Sequence, residues 1–167
     1  MSVIIKTKHL NLRLLKQDDL GYLSELNRDA EVRQFYPDGT QDKAQTKVRL
    51  DQLISYYEIN GLPGFSMFLG ETGEFVGRCG FALTEVGETE VGYLLHKKFW
   101  GRGYASEALA ALLKWANQNI KAGYIIAFAP EMHIASQRVM QKCGMQYYKK
   151  DVSHGVLCSF YRMNISG

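Results

Sequence analysis

A chain of 167 residues with 46% apolar and 22% charged side chains can bury one substantial core and is too short for two, so a single domain over residues 1–167 is expected. Its net charge of +3 comes from 20 basic and 17 acidic residues spread along the chain, with Lys97-Lys98 and Lys149-Lys150 as short basic pairs, which argues against a nucleic-acid stripe. No run approaches the roughly 20 apolar residues of a membrane helix, and Met1-Ser2-Val3-Ile4-Ile5-Lys6 lacks the apolar core of a secretory signal, so a soluble cytoplasmic protein without membrane attachment is expected.

In chain order, His9-Leu10-Asn11-Leu12-Arg13-Leu14 alternates polar and apolar residues as a half-buried strand does. Asp18 and Asp19 open a helix carrying Leu20, Leu23 and Leu26. A longer helix runs from about Gln41 to the stop signal Gly61-Leu62-Pro63, with Val48, Leu50, Ile54 and Tyr57 predicted near one face. The middle reads as an antiparallel meander: Phe65 to Leu69, a turn at Thr72-Gly73, Phe75 to Leu83, a turn near Gly87, then Thr89 to Leu95. Leu109, Leu112, Leu113 and Ala116 define a helix ending before Gly123, followed by a buried strand at Tyr124 to Phe128 and a helix from about Ala135 to Lys142 that Gly144 stops. Met145 to Tyr148 and Val156 to Met163 close the sheet as a hairpin. The pattern predicts a mixed α+β domain.

Cys79, Cys143 and Cys158 are odd in number and far apart, which predicts reduced thiols rather than a disulfide framework. His9, His96, His133 and His154 show no metal-ligand spacing, and no metal site is expected. The strongest chemical signal lies between Leu94 and Ser106. There an apolar strand leads through a basic turn and two glycines, Gly101 and Gly103, into a helix that begins with small residues. A helix start carries unpartnered N–H groups at the positive end of its dipole, a ready phosphate site. The other reading is that the glycines only make a tight turn. The spacing fits neither GxxxxGK[ST] nor GxGxxG, which would need glycine at Ser106.

Here the sequence resembles the Gcn5-related N-acetyltransferase superfamily, whose signature is [Arg/Gln]-x-x-Gly-x-[Gly/Ala]. Trp100-Gly101-Arg102-Gly103-Tyr104-Ala105 matches it with tryptophan in the first place. Glu90-Val91-Gly92-Tyr93-Leu94-Leu95-His96 upstream, Ser106-Glu107-Ala108 downstream and a second block, Ala135 to Gly144, resemble the branch that includes the ribosomal-protein N-terminal acetyltransferases. The resemblance covers almost the whole chain, although Met1 to Gly64 matches in helical pattern alone.

The resemblance implies a mostly antiparallel six- to seven-stranded sheet flanked by helices, splayed between its fourth and fifth strands, with acetyl-CoA in the gap. Pantetheine amides would pair with the backbone edge of Tyr93, Leu94 and Leu95 as an added strand does. Pyrophosphate would meet Gly101, Arg102, Gly103, Tyr104, Ala105 and Ser106, with Arg102, Lys97 and Lys98 as possible sources of charge. Attack on a thioester requires a neutral amine, and Glu90 is the first candidate for its base, with Glu85 second. Relatives often carry a tyrosine four residues past the position of Ser136 to assist the leaving thiolate. Here Met140 stands there, and Ser136 is the substitute donor or else a helix cap. His133 replaces an asparagine usual in the branch and would contact coenzyme A, act as a base or sit on the surface. Met145 stands where phenylalanine is common. Tyr36, with Phe35 and Pro37, is a candidate for the acceptor pocket.

The implied activity is acetyl transfer from acetyl-CoA to a primary amine, with the N-terminus of a protein or peptide as the leading acceptor and a polyamine or amino sugar as the alternative. A coenzyme A-binding protein without turnover is the reading from a different class, and nucleic-acid binding is a distant third. A monomer or homodimer is expected.

Overall fold

The computed structural model describes residues 4–166, so Met1 to Val3, part of the stretch read above for a secretory signal, lie outside the described residues. Strand β1 (Ile5–Lys6) pairs with β2 (Leu10–Leu14), whose Leu10 and Leu12 are fully buried as the alternation requires. After a short 3-10 turn at Gln17–Asp19 come α1 (Leu20–Asn27) and α2 (Lys43–Asn60). The start of α2 is set by a capping box: Asp42 accepts from the Gln45 N–H, and Gln45 accepts from the Asp42 N–H. Its end is set by Gly61 in the left-handed region, φ 69°.

The inner face of α2 differs from the predicted one. Thr46, Leu50 and Leu53 are buried, whereas Val48 is 71% exposed and Tyr57 43%. Val48 lies about 200° around the helix from Leu50, so the two cannot share a stripe.

The meander follows as β3 (Gly64–Leu69), β4 (Phe75–Leu83) and β5 (Thr89–Leu95), all antiparallel. Then come α3 (Tyr104–Asn119), β6 (Tyr124–Pro130), α4 (Ile134–Lys142), β7 (Gln146–Ser153) and β8 (Val156–Asn164). His154 and Gly155 at φ 51° and 79° form the two-residue turn of the last hairpin.

The sheet has eight strands in the order β1-β2-β3-β4-β5-β6-β8-β7, one more than predicted because Ile5–Lys6 adds an edge pair. On one face α1 and α2 bury Leu23, Leu26, Leu50 and Leu53 against Phe68, Phe75 and Leu94. On the other, α3 buries Leu109, Leu112, Leu113 and Ala116 against Phe81, Val91, Leu95 and Ile125. Four hydrophobic side chains recurring at helical spacing thus mark the face of α3 in the sequence itself. Among the described residues no helix is long and apolar enough to cross a membrane.

Candidate active site

The site is built around a parting of the sheet. Strands β5 and β6 run parallel and pair at one position, Glu90 with Ile126, after which they separate. This is the splay expected between the fourth and fifth strands counted from the sequence. The register of β5 on β4, together with the bond from the His96 N–H to the Val76 carbonyl, fixes which backbone groups face the opening. In an antiparallel ladder the bonded pairs alternate. Glu90, Gly92 and Leu94 therefore direct their N–H and C=O groups to β4, while Val91, Tyr93 and Leu95 direct theirs the other way, the Val91 N–H into the Ile126 bridge and the groups beyond it into the cleft.

Two of the predicted backbone contacts change accordingly. Leu94 has its polar groups engaged in the sheet and its side chain in the α1/α2 cluster. The Leu95 carbonyl already accepts the indole N–H of Trp100 at 3.0 Å. Trp100, which takes the place of the usual arginine or glutamine, thereby ties the glycine loop to the end of β5.

At the far end of the cleft, Gly101 and Gly103 hold φ of 73° and 81°, and Gly103 is the N-cap of α3 with no side-chain cap. The bond from Glu107 N–H to Gly103 C=O is the first of the helix, so the N–H groups of Tyr104, Ala105 and Ser106 have no intrahelical partner. A β-carbon at either glycine would meet nothing within 4 Å. Both readings of the loop therefore apply at once: the glycines are required by positive φ, and they open onto free space at a helix start.

The charges of the loop divide in two. Lys97 and Lys98 make exposed ion pairs with Glu31 and Glu74, whereas Arg102 is exposed and unpaired among the described residues. The Tyr104 ring packs beside His9 and Phe99. Ser106 accepts a bond from the Cys143 thiol through its carbonyl, joining α3 to α4. Glu107 receives bonds from His9 and Thr7, which lock the first turn of α3 onto β2. Burial opposes ionisation of Glu107, but these bonds win and hold its carboxyl below the usual range.

Across the cleft, α4 presents Ser136. Its hydroxyl is 2.9 Å from the Tyr93 phenol oxygen, and the Tyr93 O–H also reaches the Ser136 carbonyl at 3.2 Å. Burial pushes the Tyr93 phenol up to about 12, with the Ser136 bond opposing and nearby Cys143 and Tyr36 adding to the rise. Ser136 thus does more than cap: it is coupled to a protonated tyrosine on the opposite wall. A tyrosine enters the cleft from β5 rather than from α4, which the sequence resemblance did not anticipate.

His133 is half-buried, and its ring stacks on Phe35 with centroids 4.0 Å apart and an interplanar angle of 11°. It is not a surface residue. Burial lowers its pKa, which favours the neutral ring at physiological pH. Phe35 lies in the long connection between α1 and α2, so the stack joins that loop to α4 over the cleft. Tyr36 beside it lies under the Arg33 guanidinium, 4.1 Å from the ring centre.

On the opposite face of the sheet, Glu90 lines a pocket with Arg49 and Leu53 of α2, Arg78 and Gly80 of β4, and Gly92. Burial raises the pKa of Glu90, against the pull of Arg49, Arg78 and His154. Glu85 sits exposed in the β4–β5 turn and is not among the pocket residues. Arg49, Arg78 and Gly92 were not singled out from the sequence. Alternation along β4 marks which face Arg78 takes, but its neighbours depend on a register that only pairing with β5 sets. Among the described residues no three His, Cys, Asp or Glu side chains gather as a metal site would require.

Residues 9–146 match the family model described as "Acetyltransferase (GNAT) domain". The chain is 32% identical over 151 residues to the uncharacterized protein YkkB of Bacillus subtilis (strain 168), covering 86% of this chain and 85% of that protein. It is 28% identical over 157 residues to the FsC-acetyl coenzyme A-N(2)-transacetylase of Aspergillus fumigatus, covering 86% and 65%. The crystal structure of an acetyltransferase (GNAT family) from Bacillus anthracis superposes with a TM-score of 0.80 at 27% identity, over 96% of this chain and 97% of that one. A sheet that parts after one β5–β6 bridge, above an uncapped helix start, has the form that family uses for acetyl-CoA, and this chain belongs to it as a GNAT N-acetyltransferase.

Proposed function

We propose that the chain transfers acetyl directly from acetyl-CoA to a primary amine held in the Glu90 pocket, and that this amine is the N-terminus of a peptide or protein. The observation that carries the reading is the single Glu90–Ile126 bridge. It uses the Val91 N–H, leaves the Val91 carbonyl and the Tyr93 backbone free on that side of β5, and puts the Glu90 carboxylate in a pocket at the same point of the strand. Acetyl-CoA supplies an activated thioester. The Val91 carbonyl and the Tyr93 backbone bind its pantetheine arm as a strand would be bound, and the N–H groups of Tyr104 to Ser106, with Arg102, hold its pyrophosphate.

Glu90 takes a proton from the ammonium, directly or through one water, so that the nitrogen lone pair can attack the carbonyl carbon. The raised pKa of Glu90 brings it nearer to that of the amine it must deprotonate. As the C–S bond breaks, the Ser136 hydroxyl, polarised by Tyr93, donates to the departing sulfur. His133 contributes by holding Phe35 over the cleft rather than by taking a proton, because its stacked, half-buried ring has no hydrogen-bond partner among the described residues.

The acceptor class follows from the branch resemblance of the two motif blocks. A small-molecule amine is the second reading, and the likeness to a transacetylase named for a single nitrogen position supports it. The protein acts as one domain in the cytoplasm. Release of free coenzyme A is measured with acetyl-CoA and a panel of peptides, polyamines and amino sugars. Amine-dependent release is expected. A thermal shift with acetyl-CoA but no release with any amine would leave a binding protein without turnover.

A further inference from the structure

On the pocket side of the sheet, β4 and β5 place Arg78 opposite Leu94, Gly80 opposite Gly92 and Ala82 opposite Glu90. Gly92 leaves its side of the strand open between the arginine and the carboxylate, whereas Gly80 is closed against the Pro63 and Gly64 backbone. Arg78 and Ala82 are four residues apart on one strand, about 13 Å, so the side chains of Arg78 and of Glu90 opposite Ala82 spring from opposite ends of the pocket. A β-carbon at Gly92 would meet nothing within 4 Å, which leaves the floor of the pocket open. Arg49 of α2 lines the same pocket from above.

These two arginines stand apart from the others. Four arginines in the chain are not fully exposed: Arg13 and Arg33 are buried, and Arg49 and Arg78 are half-buried. Arg13 is paired with Asp19 and Arg33 with Asp38, as buried guanidinium groups require. Arg49 and Arg78 form no ion pair among the described residues, and Arg49 directs one N–H to the neutral Gln52. A guanidinium has five N–H donors in a planar fork suited to carboxylate or phosphate. Burial first, and then the Arg78 charge, depress the pKa of Arg49, against the opposing pull of Tyr56 and Glu90. Glu90 lies in the same pocket but outside ion-pair distance of both, so the pocket carries more positive than negative charge and its cations lack a ligand.

Resting on the reading of this pocket as the acceptor site, we propose that the acceptor is an acidic amine, whose own carboxylate or phosphate seats on Arg49 and Arg78 while its nitrogen reaches Glu90. On a peptide this means an acidic residue at or next to the N-terminus. Polyamines and other polycations are disfavoured, since they bring like charge onto two unpaired guanidinium groups.

The test compares acceptors that differ in one charge: pentapeptides opening with Glu against Gln and with Asp against Asn, and glucosamine 6-phosphate against glucosamine, with spermidine as the polycation. We expect kcat/KM to favour the anionic member of at least one pair by about tenfold or more, and spermidine to be the poorest substrate. The pair that responds distinguishes carboxylate from phosphate. Arg49→Gln and Arg78→Gln should erase the preference by raising the acceptor KM, with the KM for acetyl-CoA unmoved, and Arg78→Glu should turn it toward spermidine.

Calorimetric binding of the same compounds to the coenzyme A complex reads the pocket without turnover, and melting curves verify that each variant folds. Anion binding lost in both arginine variants supports the proposal even if no amine is acetylated, in which case it is the transfer reading that fails. Equal kcat/KM within every pair, or anionic compounds that bind no better than their neutral partners, would overturn it.

Discussion

Glu90 shows how one residue's environment sets both its chemistry and its cost. Its pKa is raised by burial, against the opposing fields of Arg49 from α2, Arg78 from β4 and His154 from the last hairpin turn. Between the ordinary glutamate value and the raised one, the folded state binds more protons than the unfolded state. Stability therefore falls as pH rises through that window and stays reduced above it. Glu90→Gln removes the titration. Its melting temperature at neutral pH should equal or exceed that of the wild type, while turnover falls about a hundredfold or more and acetyl-CoA affinity holds. Rate against pH for the wild type should show an acid limb above the ordinary carboxylate range, and a variant that keeps this limb would reassign the base. Ser136 is tested in the same way. Ser136→Ala leaves the Tyr93 phenol without its hydroxyl partner, and kcat should fall with little change in either KM.

At the scale of elements, the start of α3 joins backbone strain to ligand binding. Gly103 stands at φ 81°, so replacing it is not conformationally neutral: a β-branched residue there is strained by about 1–2 kcal/mol. Gly103→Val should melt lower and bind acetyl-CoA poorly, which by itself does not separate fold from site. Gly103→Asn does, because asparagine tolerates the left-handed region while its side chain enters the free space at the helix start. We expect this variant to melt close to the wild type and to lose acetyl-CoA affinity by about tenfold or more by calorimetry. Wild-type affinity in a folded Gly103→Asn protein would remove the loop from the pyrophosphate site. Gly80 holds a different constraint: a β-carbon there would lie 2.5 Å from the Pro63 carbonyl oxygen at φ 133°, where β3 and β4 meet under the pocket. Gly80→Ala should destabilise the fold by about 1–3 kcal/mol in denaturant unfolding.

For the molecule as a whole, the parted sheet makes ligand binding an act of strand completion, and hydrogen exchange can read it residue by residue. Tyr93 turns its amide into the cleft, while Val91 gives its N–H to the Ile126 bridge and Gly92 and Leu94 give theirs to β4. Acetyl-CoA should therefore slow exchange at Tyr93 and leave Val91, Gly92 and Leu94 almost unchanged. Uniform protection along β5 would mean general stabilisation rather than pairing at an edge. Global stability should rise as well, by about 2.7 kcal/mol at a hundredfold excess over the dissociation constant, because only the folded chain has a cleft to fill.

Much of this was legible in the residues themselves. The leucines of α3, the alternation of β2, the start of α2 near Gln41 and its stop at Gly61, and the Gly101/Gly103 loop are local signals, carried by neighbours a few positions apart. Local signals sufficed for the order of elements, the family and the loop. They could not say that Ile5–Lys6 would add a strand, that Val48 would face solvent, or that Lys97 and Lys98 would pair with Glu31 and Glu74, residues 66 and 24 positions away. The pocket was beyond them for the same reason. Arg49, Arg78 and Glu90 come from three separate elements, and each reads alone as an ordinary charged side chain. Only the register of β4 on β5, and the docking of α2 above them, puts two cations without an ion pair and a half-buried carboxylate in one space, because charge, burial and pKa are properties of surroundings that sequence neighbours do not supply.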